Sequence, residues 1–191
     1  MEDIMQEYIK KIINDSIEVK KKMLDANTGD IAAVAESIIS AYRNGRQVVL
    51  FGNGGSAADA QHFAAELVVR FEKNRRALRA FALTVDTSAL TAIMNDFGAD
   101  KVFSRQVEAC VSEGDVVIAI TTSGNSPNVI EAVKQAKQQK ALVAGFTGEK
   151  GGKLKGLADR CICIPSDVTA RIQEGHVTAI HAICGLVEAG I

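Results

Sequence analysis

The spacing of apolar positions changes near residue 46. Before it, Ile4, Tyr8, Ile12, Ile13 and Ile17 recur at helical intervals, and so do Ile31, Val34, Ile38, Ile39 and Tyr42. Asn27-Thr28-Gly29-Asp30 separates these two predicted helices, and Asn44-Gly45 closes the second. Beyond residue 46, short apolar runs alternate with longer helical stretches. The runs are Gln47–Phe51, Ala80–Val85, Val116–Thr121, Leu142–Thr147 and Arg160–Ile164. Most are continuously apolar, the signature of strands buried on both faces. Helices are predicted over Ser56–Phe71, Thr87–Phe97, Asp100–Val111, Pro127–Gln139 and Asp167–Glu188. Alternating strands and helices predict an α/β fold, a three-layer αβα sandwich around a parallel sheet of about five strands. Residues 1–191 read as one domain, with residues 1–45 as an N-terminal helical extension.

Composition narrows the classes of function. Apolar residues make up 47% and charged residues 24%, ordinary for a globular chain and far from disorder. The net charge of -1 carries no basic block, so a nucleic-acid surface is not expected. No apolar run approaches the roughly 20 residues of a membrane span, and no secretory leader is visible, so a cytoplasmic address is expected. Cys110, Cys161, Cys163 and Cys184 match neither a zinc motif nor a redox CxxC, and are expected to be plain buried thiols.

Ligands of open α/β sheets sit at the carboxyl ends of the strands, near helix N-termini. Two loops stand out there. Gly52-Asn53-Gly54-Gly55-Ser56 follows the first strand, with glycines that let a ligand approach the main chain and Ser56 as the expected N-cap. Through Gly52, Gly54 and Ala57 it also meets a loose dinucleotide pattern. The acidic partner about 20 residues on is missing, so nicotinamide binding is disfavoured. Thr121-Thr122-Ser123-Gly124-Asn125-Ser126-Pro127 follows another strand, with Ser126 as N-cap and Pro127 at the first helical position. Hydroxyls and free N–H groups at a helix N-terminus make an anion site. Without the lysine of a nucleotide P-loop, this cradle suits a sugar monophosphate.

Two helices carry polar residues on one side. His62 and Glu66 stand four apart. Gln173 and His181 are eight apart, roughly 80° around the helix wheel, whereas His176 points away and reads as structural. Spacing alone does not bring the two pairs together.

The strings Gly52-Asn53-Gly54-Gly55-Ser56, His62-Phe63-Ala64-Ala65-Glu66-Leu67, Asn95-Asp96-Phe97-Gly98, Thr121-Thr122-Ser123-Gly124-Asn125-Ser126 and Arg171-Ile172-Gln173-Glu174 occur in this order. Together they resemble the sugar isomerase (SIS) domain, with its flavodoxin-like sheet, and more narrowly the bacterial phosphoheptose isomerases. Those enzymes convert sedoheptulose 7-phosphate to D-glycero-D-manno-heptose 7-phosphate. The resemblance implies that Asn53, Gly54, Gly55, Ser56, Glu66, Asn95, Asp96, Thr121, Thr122, Ser123, Ser126 and Gln173 bind substrate. It implies one zinc ion per subunit held by His62, Glu66, Gln173 and His181. It also implies a homotetramer with active sites at subunit interfaces; for the proton transfers of an aldose–ketose isomerisation, Glu66 is the expected base at carbon and His181 the expected proton shuttle at oxygen. A Glu66 bound to zinc would be a poorer base, so its two implied roles compete.

One position departs from the pattern. Ala170 precedes Arg171 where some members carry an acid. The same Thr-Ala-Arg string resembles a non-catalytic SIS scaffold that binds the replication initiator. Glu66 and His181, which that relative lacks, favour the enzyme. An isomerase for another phosphosugar is the second alternative.

Overall fold

The computed structural model describes residues 1–191, the side chain of Glu2 excepted. The chain opens with α1 (Glu2–Ala26) and α2 (Thr28–Arg43), separated by Asn27 alone. Five strands follow: β1 (Val48–Gly52), β2 (Ala80–Ala82), β3 (Val116–Ile120), β4 (Leu142–Gly148) and β5 (Arg160–Ile164). They form one parallel sheet in the order β2-β1-β3-β4-β5, the flavodoxin-like arrangement. The order reverses beside β1, so the carboxyl ends of β1 and β3 bound a crevice where ligands sit in such sheets.

Between the strands run α3 (Gly55–Val68), α4 (Thr87–Phe97), α5 (Ser104–Cys110), α6 (Pro127–Gln138) and α7 (Gly152–Leu157), and α8 (Thr169–Gly190) closes the chain. Alternation along each strand feeds two apolar layers. Val48, Leu50, Ile118 and Ile162 pack on α2, α3 and α8. Val49, Phe51, Val117 and Val143 pack on α5, α6 and α7. Both faces of β1 and β3 are therefore buried, which is why these strands read as continuous apolar runs.

Several expectations need correction. Strand β2 ends at Ala82, because the chain turns away toward Asp86, whose side chain accepts from the N–H of Ala89 to cap α4. The stretch Asp100–Val111 divides into a 3₁₀ turn (Ala99–Lys101) and α5. Helix α7, capped by Gly151, lies between β4 and β5, where the sequence pattern predicts no helix. Only Cys184 is a buried thiol: Cys110 is exposed, and Cys161 and Cys163 are half-buried on β5.

Among the described residues, no helix is long and apolar enough to cross a membrane. Two apolar surfaces remain uncovered. One is on α1, with Ile4, Met5, Tyr8, Ile9 and Ile13 exposed; the other, near the β2 edge, exposes Phe81, Val85, Met94 and Phe97.

Candidate functional site

The glycine loop after β1 is shaped by contacts that exclude side chains. Gly54 has φ +54°, a region glycine enters readily. A Cβ on Gly55 would lie 2.3 Å from Gln173 Nε2, so the missing side chain lets Gln173 of α8 reach the loop. Helix α3 starts at Gly55 with Gly54 as cap, so Ser56 is buried one position inside the helix and does not cap it. Asn53 exchanges two hydrogen bonds with Asn128, each 2.9 Å, which ties this loop to the start of α6. Asn128 carried no signal in the sequence.

The hydroxyl loop after β3 converges as expected. Thr121 Oγ1 lies 2.8 Å from Ser126 Oγ and 3.3 Å from Ser123 Oγ. Ser126 is the N-cap residue of α6 and Pro127 its first residue, but the Ser126 hydroxyl turns to Thr121 and does not cap the helix, whose Val129 N–H is accepted by the Asn128 side chain instead. Gly124, at φ +67°, accepts the N–H of Leu154 at 3.0 Å and abuts Gly151 and Gly152. Thr122 and Ser123 line a cavity of about 230 Å³, opposite Lys150, Gly151 and Ser166. The Thr122 and Ser123 end of the hydroxyl loop thus borders a small cavity, while Thr121 and Ser126 gather their hydroxyls at the start of α6.

The two polar helix faces meet. His62 Nε2 lies 2.9 Å from His181 Nε2, and 3.7 Å from Glu66 Oε1. Gln173 and His181 line one cavity of about 530 Å³, joined by Lys20 of α1 and by Ala170. Phe71 lies against His181, ring centroids 5.5 Å apart. Asp59, one turn before His62, is buried with Oδ2 unpartnered. Burial pushes its carboxyl up to about 6, against the pull of His62.

Not every expected residue joins this group. Asn95 and Asp96 stand exposed on α4, where Asn95 donates to Asp96 at 2.8 Å and neither bonds to the loops. His176 is buried away from the pair, with Nε2 3.2 Å from the carbonyl of Thr147. The roomy cleft of about 630 Å³ behind α6, lined by Lys101, Glu131 and Lys134, contains Asn125 and Pro127 but no expected substrate or metal residue. Lys101 and Lys134 are already paired with Glu131.

The donor set suits zinc. A tetrahedral ion with bonds of 2.0–2.1 Å separates two imidazole nitrogens by about 3.4 Å. The observed 2.9 Å therefore needs only a small opening. Among the described residues no three His, Cys, Asp or Glu already enclose an ion, so Glu66 would have to draw in. The fourth donor, the Gln173 amide oxygen, is uncommon for zinc but chemically able.

Comparison with known proteins identifies the family. Residues 8–148 match the family model of the SIS domain. The phosphoheptose isomerase of Aquifex aeolicus is 53% identical over 184 residues, covering 96% of each chain. Among solved structures, the phosphoheptose isomerase of Neisseria gonorrhoeae superposes with a TM-score of 0.92 at 44% identity, over 97% of this chain and 99% of that one. A phosphoheptose isomerase from Francisella tularensis superposes with a TM-score of 0.94 at 36% identity, over 97% and 98%.

Proposed function

The chain belongs to the SIS domain family, within it to the phosphoheptose isomerases, and from that premise we propose that it converts sedoheptulose 7-phosphate to D-glycero-D-manno-heptose 7-phosphate. One observation supports the assignment of residues: His62 of α3, with Glu66 3.7 Å from its ring, meets His181 of α8, although α3 and α8 lie more than a hundred residues apart.

Aldose–ketose isomerisation moves a proton between C1 and C2 and relocates the carbonyl. It needs a base at carbon, an acid at oxygen and a clamp on the distant phosphate. Thr121, Thr122, Ser123 and Ser126 hold the phosphate at the N-terminal end of α6. Binding energy at that end orients the reacting carbons. Asn53, Gly54, Gly55 and Ser56 flank the sugar, with Gln173 beside them. Glu66 takes the carbon proton and returns it to the neighbouring carbon through a cis-enediol. His181 moves protons at the two oxygens. His62, Glu66, Gln173 and His181 would hold one zinc ion, which polarises a carbonyl oxygen when bound.

The active unit is a homotetramer with sites at subunit interfaces. Two uncovered apolar surfaces, on α1 and near β2, supply the two contacts such an assembly needs. Asn95 and Asp96, remote from the loops of their own chain, then serve a neighbour's site. Sedimentation at working concentration measures this directly. The protein acts in the cytoplasm.

Replacing Glu66 with Gln tests the assignment. The variant is expected to bind sugar phosphate while kcat falls by about 10²–10⁴-fold, the usual contribution of a placed acid or base. Near-normal kcat would reject Glu66 as the base.

A further inference from the structure

The reacting pair is split between two helices, Glu66 on α3 and His181 on α8. Their separation is fixed by something beyond the site. We infer that Arg75 and Glu188 are positioning residues, a buried clamp that joins the C-terminal turn of α3 to the last turns of α8 and holds Phe71 against His181. This inference rests on the reading of Glu66 and His181 as the reacting pair.

Arg75 lies in the segment between α3 and β2. Its guanidinium donates to the carbonyl of Glu66 at 2.8 Å and to the carbonyl of Leu67 at 2.8 Å. Those carbonyls belong to the last turn of α3, where no intrahelical partner remains and a cation is favoured. Arg75 Nε lies 3.1 Å from Glu188 Oε1, with both side chains nearly shielded from water. One guanidinium thus spans the backbone of Glu66 and the carboxylate of Glu188.

Glu188 is also fully engaged. It accepts the N–H of Phe71 at 2.7 Å, of Glu72 at 2.9 Å and of Lys73 at 2.8 Å. Burial would push its carboxyl up; the three N–H groups and Arg75 reverse that and hold it at about 2. The segment after α3 is thereby fixed, and with it the Phe71 side chain. Phe71 packs at 5.5 Å from His181, tilted by 34°, while His62 meets His181 edge-on at 5.2 Å. Two rings therefore set the plane of His181, one of them held through Glu188. A loop that only needed covering would not require three amides and an arginine on a single carboxylate.

Three variants separate positioning from bulk stability. Phe71→Leu keeps every backbone bond to Glu188 and removes only the ring. It is expected to melt near the wild-type temperature, with kcat lowered about 10-fold to 10²-fold and KM little changed, the range of a small misplacement. Glu188→Gln loses acceptors for the segment and is expected to lower both kcat and thermal stability. Arg75→Lys keeps a charge beside Glu188 but cannot span both carbonyls, and is expected to restore less than half of wild-type kcat. The imidazole NMR signals of His181 supply a readout independent of turnover. They should broaden or split in Phe71→Leu and Glu188→Gln. Unchanged His181 signals and unchanged kcat in the folded variants would overturn the clamp. If the wild-type protein fails to isomerise any sugar phosphate, the reading of the site fails instead. The His181 signals then decide the clamp alone, and unchanged signals again overturn it.

Discussion

The Nε2 atoms of His62 and His181 point at one another across 2.9 Å, although the residues are 119 apart in the chain. Only one hydrogen fits between them, so one ring donates and the other accepts. Replacing that hydrogen by a divalent cation satisfies both lone pairs at once. Adding zinc is therefore expected to raise the unfolding free energy. A ligand at a hundred times its Kd contributes about 2.7 kcal/mol when it binds only the folded state. Thermal melting with and without zinc, after treatment with a chelator, measures the gain. His62→Ala with His181→Ala should abolish it. An equal shift in that double variant would place the metal elsewhere.

How much of this was legible in the sequence depends on whether the cause is local. Strand β5 was read to the residue, because Arg160 to Ile164 is a short β-prone run between polar turns. Helix α4 was likewise read whole, since Asp86 and Gly98 bracket it. The pairing of His62 with Glu66 follows from helical spacing and needed no fold. The meeting of His62 with His181 is tertiary: it depends on α3 and α8 packing on the same face of the sheet, which no spacing states. The cap at Ser56 failed for a local reason. Gly54 accepts the turn geometry, so the cap and the helix start lie two residues earlier than a cap at Ser56 requires. Arg75, Glu188 and Asn128 looked like ordinary surface residues, because the groups they bond are main-chain atoms or lie far along the chain.

Gly124 should not tolerate a side chain. A Cβ there would lie 2.2 Å from the carbonyl oxygen of Gly151, and the residue sits at φ +67°. The atoms such a Cβ would meet are backbone atoms of Gly151 and Gly152, so the clash cannot be relieved by turning a side chain. Gly124→Ala is expected to push the hydroxyl loop off its brace and weaken binding of inorganic phosphate at least about 10-fold, since strain of about 1–3 kcal/mol must be released there. Calorimetric titration with phosphate gives the affinity. Wild-type affinity in Gly124→Ala would show that the Thr121–Ser126 loop does not hold the anion.

His176 should make the fold sensitive to mild acid. The ring is fully buried, with Nε2 3.2 Å from the Thr147 carbonyl, Nδ1 unpartnered, and the Phe146 ring beside it at 5.8 Å. Burial lowers its pKa to about 4 from the ordinary 6.5, and the Thr147 carbonyl only partly opposes this. The folded protein therefore resists a proton that the unfolded chain accepts. Stability from the neutral ring is fully present above pH 6.5 and is lost as pH falls from there toward about 4. The loss is on the order of 3 kcal/mol, from a difference of roughly two and a half pKa units. Asp59 works the other way in the same window. Its folded pKa of about 6 exceeds the ordinary 3.8, so protonation there favours the fold as pH drops. The contribution of His176 must accordingly be read as a difference between two proteins. His176→Gln keeps a donor for Thr147 but cannot titrate. Urea unfolding at about pH 7.5 and about pH 4.5 should show a smaller acid loss in the variant than in wild type, by about 2–3 kcal/mol. Equal losses in the two proteins would mean that His176 is already protonated in the fold, or is hydrated enough to titrate as it does in the unfolded chain.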